Sequence, residues 1–259
     1  MRELTRSRVA YVDDGHALEG YLVTPSRARD LPGVLVAPSW LNVAESTCRR
    51  ADRLAEQGFV VFVADLLGPG VLPAPPQSPD QVVAPFLADR LHLRRRLLAG
   101  LAALQDHVVR SPDRVAAIGY CLGGCGVLEI ARAGAPLRGV VCLHGMLTAP
   151  IPAERGVVRA RVLVLHGDAD PLASFADVGA FREEMDLAGA NWEIDIYGGA
   201  RHAFTGEGIA DGESDEAGVD PQAEQRSWEA MLRFLEEVLR PAPANRASEH
   251  LARNGRPGD

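Results

Sequence analysis

Residues 119–124 read Gly-Tyr-Cys-Leu-Gly-Gly, between the apolar run Val115–Tyr120 and a helix-like segment, Cys125–Ala133. A strand that turns straight into a helix needs small residues on both sides of the apex, because the two backbones approach more closely than a Cβ allows. The pattern therefore commits this part of the chain to strand, tight turn and helix, with Cys121 at the apex. A thiol held there lies at a helix N-terminus, where the partial positive charge favours thiolate. Free cysteines are also common core residues, so the turn alone leaves open whether Cys121 is packed or reactive.

Two downstream segments bear on that choice. Arg161–Leu172 is an apolar run ending in His-Gly-Asp-Ala-Asp-Pro, and Ala190–Phe204 is another ending in Gly-Ala-Arg-His-Ala-Phe. Cysteine, acid and histidine then follow in the chain order of α/β-hydrolases, each just past the end of an expected strand. In an open parallel sheet, ligands and chemistry collect at those ends. Asp168 and Asp170 compete for the acid role. Pro171 biases Asp170 toward extended backbone, whereas Asp168 suits a turn-shaping side chain, so Asp170 is the preferred acid and His202 the base.

Strand-like runs fall at Val9–Val12, Leu18–Val23, Gly33–Ala37, Phe59–Ala64, Val115–Tyr120, Gly139–His144, Val162–His166 and Trp192–Tyr197. Helical patterns lie between most of them, at Ala44–Gln57, Gln81–His107, Cys125–Ala133, Ser174–Ala188 and Pro221–Leu239. This alternation predicts an α/β fold whose mostly parallel central sheet carries helices on both faces and an N-terminal antiparallel pair. Residues 1–240 are expected to form one domain. Residues 241–259 lack a periodic apolar face and are expected to be a disordered tail.

A net charge of −8 argues against nucleic-acid or anionic-membrane partners. No lysine occurs, a matter of coding bias rather than function. Cysteines 48, 121, 125 and 142 form no C-x-x-C pair, and the N-terminus lacks a signal-peptide core. The expectation is a cytoplasmic protein with reduced thiols, no metal, no cofactor and a small-molecule substrate, as a monomer or homodimer. Two loops, Leu67–Pro79 and Thr205–Asp220, are candidates for a substrate lid or for plain solvated connections.

The motifs at 119–124, 166–171 and 199–204 resemble those of the dienelactone hydrolases, α/β-hydrolases with a Cys-His-Asp triad. The resemblance runs over nearly the whole chain, through Gln57–Leu66 and the closing segment Arg226–Leu235. It implies that Cys121 is the nucleophile, His202 the base and later acid, and Asp170 the group that orients the imidazole. It also implies an oxyanion hole from the backbone N–H groups of Leu122 and Trp40. The chain departs from the family where substrate is handled. Ser39 stands where the family carries an activating glutamate, and no arginine follows His202 at 203–206. The family's other carboxylate-binding arginine aligns near Val82, with Arg90 an alternative. The resemblance thus implies a hydrolase of small esters, lactones or thioesters, but not of dienelactone itself.

Ser39, Tyr120 and His144 are candidate substrate-binding residues, with Trp40 as a further pocket wall. Cys125, one turn beyond Cys121, reads as core packing. Arg201, beside the base, is a candidate for attracting an acidic substrate or for facing water. Two rival functions remain: a tailoring enzyme for carbon–carbon or polyketide-type substrates on the same scaffold, and a non-catalytic small-molecule binding protein. The latter has no need of all three triad residues.

Overall fold

A computed structural model describes residues 2–26, 30–73, 77–108, 113–209 and 214–240; the tail expected at 241–259 lies outside them. Eight strands form one mixed sheet: β1 (Leu4–Asp13), β2 (His16–Pro25), β3 (Gly33–Ala37), β4 (Val60–Val63), β5 (Val115–Tyr120), β6 (Gly139–Leu143), β7 (Arg161–Gly167) and β8 (Trp192–Tyr197). Their order across the sheet is β1-β2-β4-β3-β5-β6-β7-β8. β1 and β2 are antiparallel to each other, β2 is antiparallel to β4, and all the later pairings are parallel.

Among the described residues six helices cover the sheet: α1 (Glu45–Glu56), α2 (Pro79–Ala88), α3 (Arg90–Gln105), α4 (Leu122–Arg132), α5 (Phe175–Ala188) and α6 (Pro221–Val238). The two-residue period of the strands divides the interior into two cores. Leu35 and Ala37 of β3 and Ala117 of β5 pack with Leu93, Leu97 and Leu104 of α3 and Val127 and Ile130 of α4. Val34, Val36 and Ile118, which alternate with them, pack with Leu54 of α1 and Met231 and Leu235 of α6. Fully burying one such side chain is worth about 1.5–3 kcal/mol, so the continuous apolar runs of β3 and β5 are what lock them in mid-sheet.

The expected single helix at Gln81–His107 is two helices. Asp89 leaves helical geometry, at φ −125° and ψ 86°, and its Oδ1 accepts a hydrogen bond from the His92 N–H at 3.0 Å, capping α3. α2 begins earlier than the periodicity suggests, because Ser78 and Gln81 form a capping box and Pro79 occupies the first turn. α4 starts immediately after Cys121. Among the described residues no helix is long and apolar enough to cross a membrane.

Candidate active site

The turn after β5 is built by the absence of two side chains. A Cβ on Gly119 would lie 2.1 Å from the carbonyl oxygen of Gly123, and one on Gly123 would lie 2.1 Å from that of Ala37. Between these glycines Cys121 takes φ 53° and ψ −115°, a strained conformation for a residue with a Cβ. Its own N–H is satisfied by the carbonyl of Leu143 at 3.1 Å. The strain turns the thiol to the wall of a cavity of about 360 Å³ above the C-terminal edge of the sheet.

His202 and Asp170 arrive there from the ends of β8 and β7. His202 Nε2 lies 3.2 Å from Cys121 Sγ, and Nδ1 lies 2.8 Å from Asp170 Oδ2. Asp170 is buried, and its other oxygen accepts the Leu172 N–H at 2.9 Å, which fixes the carboxylate's orientation. Asp168 is exposed and reaches back to the Gly199 N–H at 3.4 Å. Of the two aspartates, Asp170 is the one hydrogen-bonded to His202. Burial alone would lower the His202 pKa, but its bonds to Asp170 and Cys121 and their negative charge outweigh that and raise it to about 10. The imidazole is therefore held protonated at neutral pH, against the sulfur.

The residues proposed to touch substrate are placed unevenly. Trp40 lines the cavity, and its indole N–H donates to the Gly208 carbonyl at 2.7 Å. Leu122 opens α4 directly behind the thiol. Ser39, Tyr120 and His144 are buried and do not line the cavity. His144 Nε2 is 2.8 Å from Thr205 Oγ1, and its ring meets those of His202 and Phe204 edge-on. Burial, together with the charges of His202 and Arg50, holds the His144 pKa well below its usual range, so this ring is neutral. Val82 packs in the core, Arg90 donates to Cys125 Sγ, and Arg201 donates to the Ser214 carbonyl.

The two loops also part company. Gly68, Gly70, Val71 and Leu72 line a separate groove with Arg8, Asn42 and Asp65; of the first loop's described residues only Pro79 reaches the Cys121 cavity. The second loop contributes Gly208, Ser214, Glu216 and Ala217 to the cavity wall. It is tied down by backbone bonds from His202 N–H to the Glu216 carbonyl and from Gly218 N–H to the His202 carbonyl, each 3.1 Å.

Glu207 is the residue that sequence reasoning missed. It sits in a Gly-Glu-Gly stretch of an acidic loop and has no periodicity to betray burial, yet it is completely buried. Its Oε1 accepts from Ser39 Oγ at 3.0 Å and Thr47 Oγ1 at 2.7 Å, and Oε2 faces Arg50 Nε at 3.4 Å. Arg50 also donates to the Thr205 carbonyl. A carboxylate thus meets Ser39, but it comes from the loop after His202. Removing it takes the acceptor from the Ser39 hydroxyl, leaves Thr47 Oγ1 only the Asn42 carbonyl at 3.1 Å, and leaves Arg50 only the more distant Glu224, at 3.6 Å, as a carboxylate partner. Glu207→Ala is expected to cost about 3–5 kcal/mol, read as a lower urea midpoint. A midpoint within error of the wild type would show that this cluster contributes nothing to stability.

Among the described residues, no group of three or more His, Cys, Asp or Glu side chains is placed to hold a metal ion. A sequence profile of the dienelactone hydrolase family matches residues 18–239. The chain belongs to the dienelactone hydrolase family. It is 28% identical over 238 residues to a probable 2-oxo-3-(5-oxofuran-2-ylidene)propanoate lactonase from Bradyrhizobium sp, covering 86% of this chain and 90% of that one. It is 37% identical over 150 residues to an uncharacterized protein, K02A2.1, from Caenorhabditis elegans, covering 57% of this chain and 94% of the other. Among solved structures, it is similar to a dienelactone hydrolase-like promiscuous phosphotriesterase from metagenomic libraries. That likeness has 33% identity and a TM-score of 0.83, and covers 91% of this chain and 98% of the other. This dienelactone hydrolase family member is accordingly a hydrolase-family protein on an α/β-hydrolase fold.

Proposed function

We propose that this protein hydrolyses small carboxylic esters, lactones or thioesters through an acyl-Cys121 intermediate, with a substrate other than dienelactone. The observation that carries the reading is the contact chain from Cys121 Sγ through His202 to Asp170, 3.2 Å and 2.8 Å, at the wall of a cavity. The Cys121 sulfur attacks the carbonyl carbon, and the carbonyl oxygen becomes an oxyanion facing the backbone N–H groups of Leu122 and Trp40. The protonated His202 gives its proton to the departing oxygen or sulfur, leaving a thioester on Cys121. Neutral His202 then takes a proton from water as it attacks the thioester, and Cys121 leaves as thiolate beside the re-formed imidazolium. Asp170 holds the tautomer and balances the charge. The lactonase relative supports the lactone arm of the reading. Four free cysteines, three of them buried, suit a reducing compartment such as the cytoplasm.

Acid-quenching the enzyme during turnover of p-nitrophenyl acetate should trap one acetyl group per chain, mapped to the peptide carrying Cys121. Cys121→Ala should give no adduct and no turnover above background. Wild-type turnover retained by Cys121→Ala, or an acetyl group mapped elsewhere, would refute the reading.

A further inference from the structure

Resting on that hydrolase reading, we propose that the cavity selects apolar, uncharged esters and rejects those whose acyl chain carries a carboxylate, with Asp80 and Glu216 as its discriminating charges. Trp40, Val83, Leu87, Met146 and Leu172 make most of its wall apolar. Its ionisable lining residues, beyond Cys121 and His202, are Asp80 and Glu216, and no arginine lines it among the described residues. The nearby arginines are engaged elsewhere: Arg50 with Glu207 and the Thr205 carbonyl, Arg90 with Cys125, and Arg201 with the Ser214 carbonyl. Among the described lining residues the one cation, the His202 imidazolium, is already matched between Asp170 and the sulfur.

A carboxylate entering this cavity gives up its hydration without gaining a cationic partner. It also meets two carboxylates of its own sign at the rim, and such opposition separates otherwise similar substrates. A neutral chain incurs neither penalty and gains apolar contact. The volume, about 360 Å³, is near the lower end of small-molecule sites and suits a short or singly ringed acyl chain. The same field assists turnover, since the acid released by hydrolysis ionises and is expelled.

The test compares p-nitrophenyl hexanoate with the mono-p-nitrophenyl ester of adipic acid, equal in chain length and different in terminal charge. In low salt, kcat/KM should favour the hexanoate by about fifty-fold or more. The ratio should fall by about five-fold in the Asp80→Asn/Glu216→Gln double variant. Equal kcat/KM for the two esters in the wild type, or a ratio unmoved by the double variant, overturns the proposal.

Alkylation of Cys121 by iodoacetate and iodoacetamide reads the same field without turnover. The double variant should raise the iodoacetate rate relative to iodoacetamide by about three-fold; an unchanged ratio counts against charge selection. If neither ester leaves an adduct on Cys121, the hydrolase reading fails, and the alkylation ratio still decides the selection by charge.

Discussion

Asp170→Asn should fold normally and lose activity by about ten-thousand-fold in kcat, the order seen when a triad aspartate becomes an amide. The change is nearly isosteric, and the amide oxygen can still accept the Leu172 N–H that positions the wild-type side chain. What disappears is the negative charge 2.8 Å from His202 Nδ1. An amide that turns its NH₂ group toward the ring favours the tautomer with Nδ1 unprotonated, which leaves Nε2 carrying its proton and unable to accept one from water. The hydrogen bond to Asp170 is also the first of the influences that raise the His202 pKa to about 10 against the opposing effect of burial. Without it the imidazolium should titrate toward or below its ordinary value of about 6.5, and NMR of the His202 ring reads that directly.

The same linkage has a consequence for stability. A histidine whose pKa is raised by folding contributes stability that is fully present below its unfolded value near 6.5. For His202 that contribution is lost as pH rises from there through about 10. The stability difference between wild type and Asp170→Asn should therefore narrow across this window. Activity within ten-fold of the wild type, or a His202 titration that stays near 10, would exclude Asp170 from the role assigned to it.

How far the chain could be read in advance varies with where the information resides. The central strands announce themselves because each is buried on both faces and so must be a continuous apolar run, as in Val34, Leu35 and Val36. β1 extends back to Leu4, well before the expected Val9, because it pairs only with β2 at the sheet edge and its outer residues Thr5 to Arg8 are polar and exposed. Nothing in its apolar pattern marks that start.

In the candidate site, Cys121, Asp170 and His202 each sit just beyond a strand, so local pattern and chain order suffice to list them together. Glu207 is different in kind. Its burial depends on Ser39 and Thr47, 168 and 160 residues away in the chain, and only the folded loop reveals a carboxylate hydrogen-bonded to Ser39. Tyr120 adjoins Cys121 in the chain, and Ser39 and His144 follow the ends of β3 and β6, yet all three are buried and none lines the cavity. Proximity along the chain does not tell which face of a strand end a side chain occupies.

Gly123→Ala should cost more than about 4 kcal/mol, beyond the range of most point substitutions. The added Cβ would lie 2.1 Å from the carbonyl oxygen of Ala37, 2.4 Å from its carbonyl carbon and 2.6 Å from the carbonyl oxygen of Pro38. All three are backbone atoms at the end of β3, which is pinned between β4 and β5. No rotamer change relieves such a contact; α4 or β3 must move. Gly126→Ala, one turn further along α4, provides the contrast. Its Cβ would lie 2.3 Å from Leu97 Cδ1, the end of a flexible side chain, and alanine's higher helix propensity returns about 1 kcal/mol. Its net cost should be no more than about 2 kcal/mol. Urea unfolding of both variants measures the difference. Because the displaced backbone leads into Ser39 and Trp40, any Gly123→Ala protein that does fold should also hydrolyse esters more slowly. If the two substitutions prove equally mild, the turn around Cys121 is not held by the approach of α4 to β3, and the strained backbone of the cysteine must be maintained by other contacts.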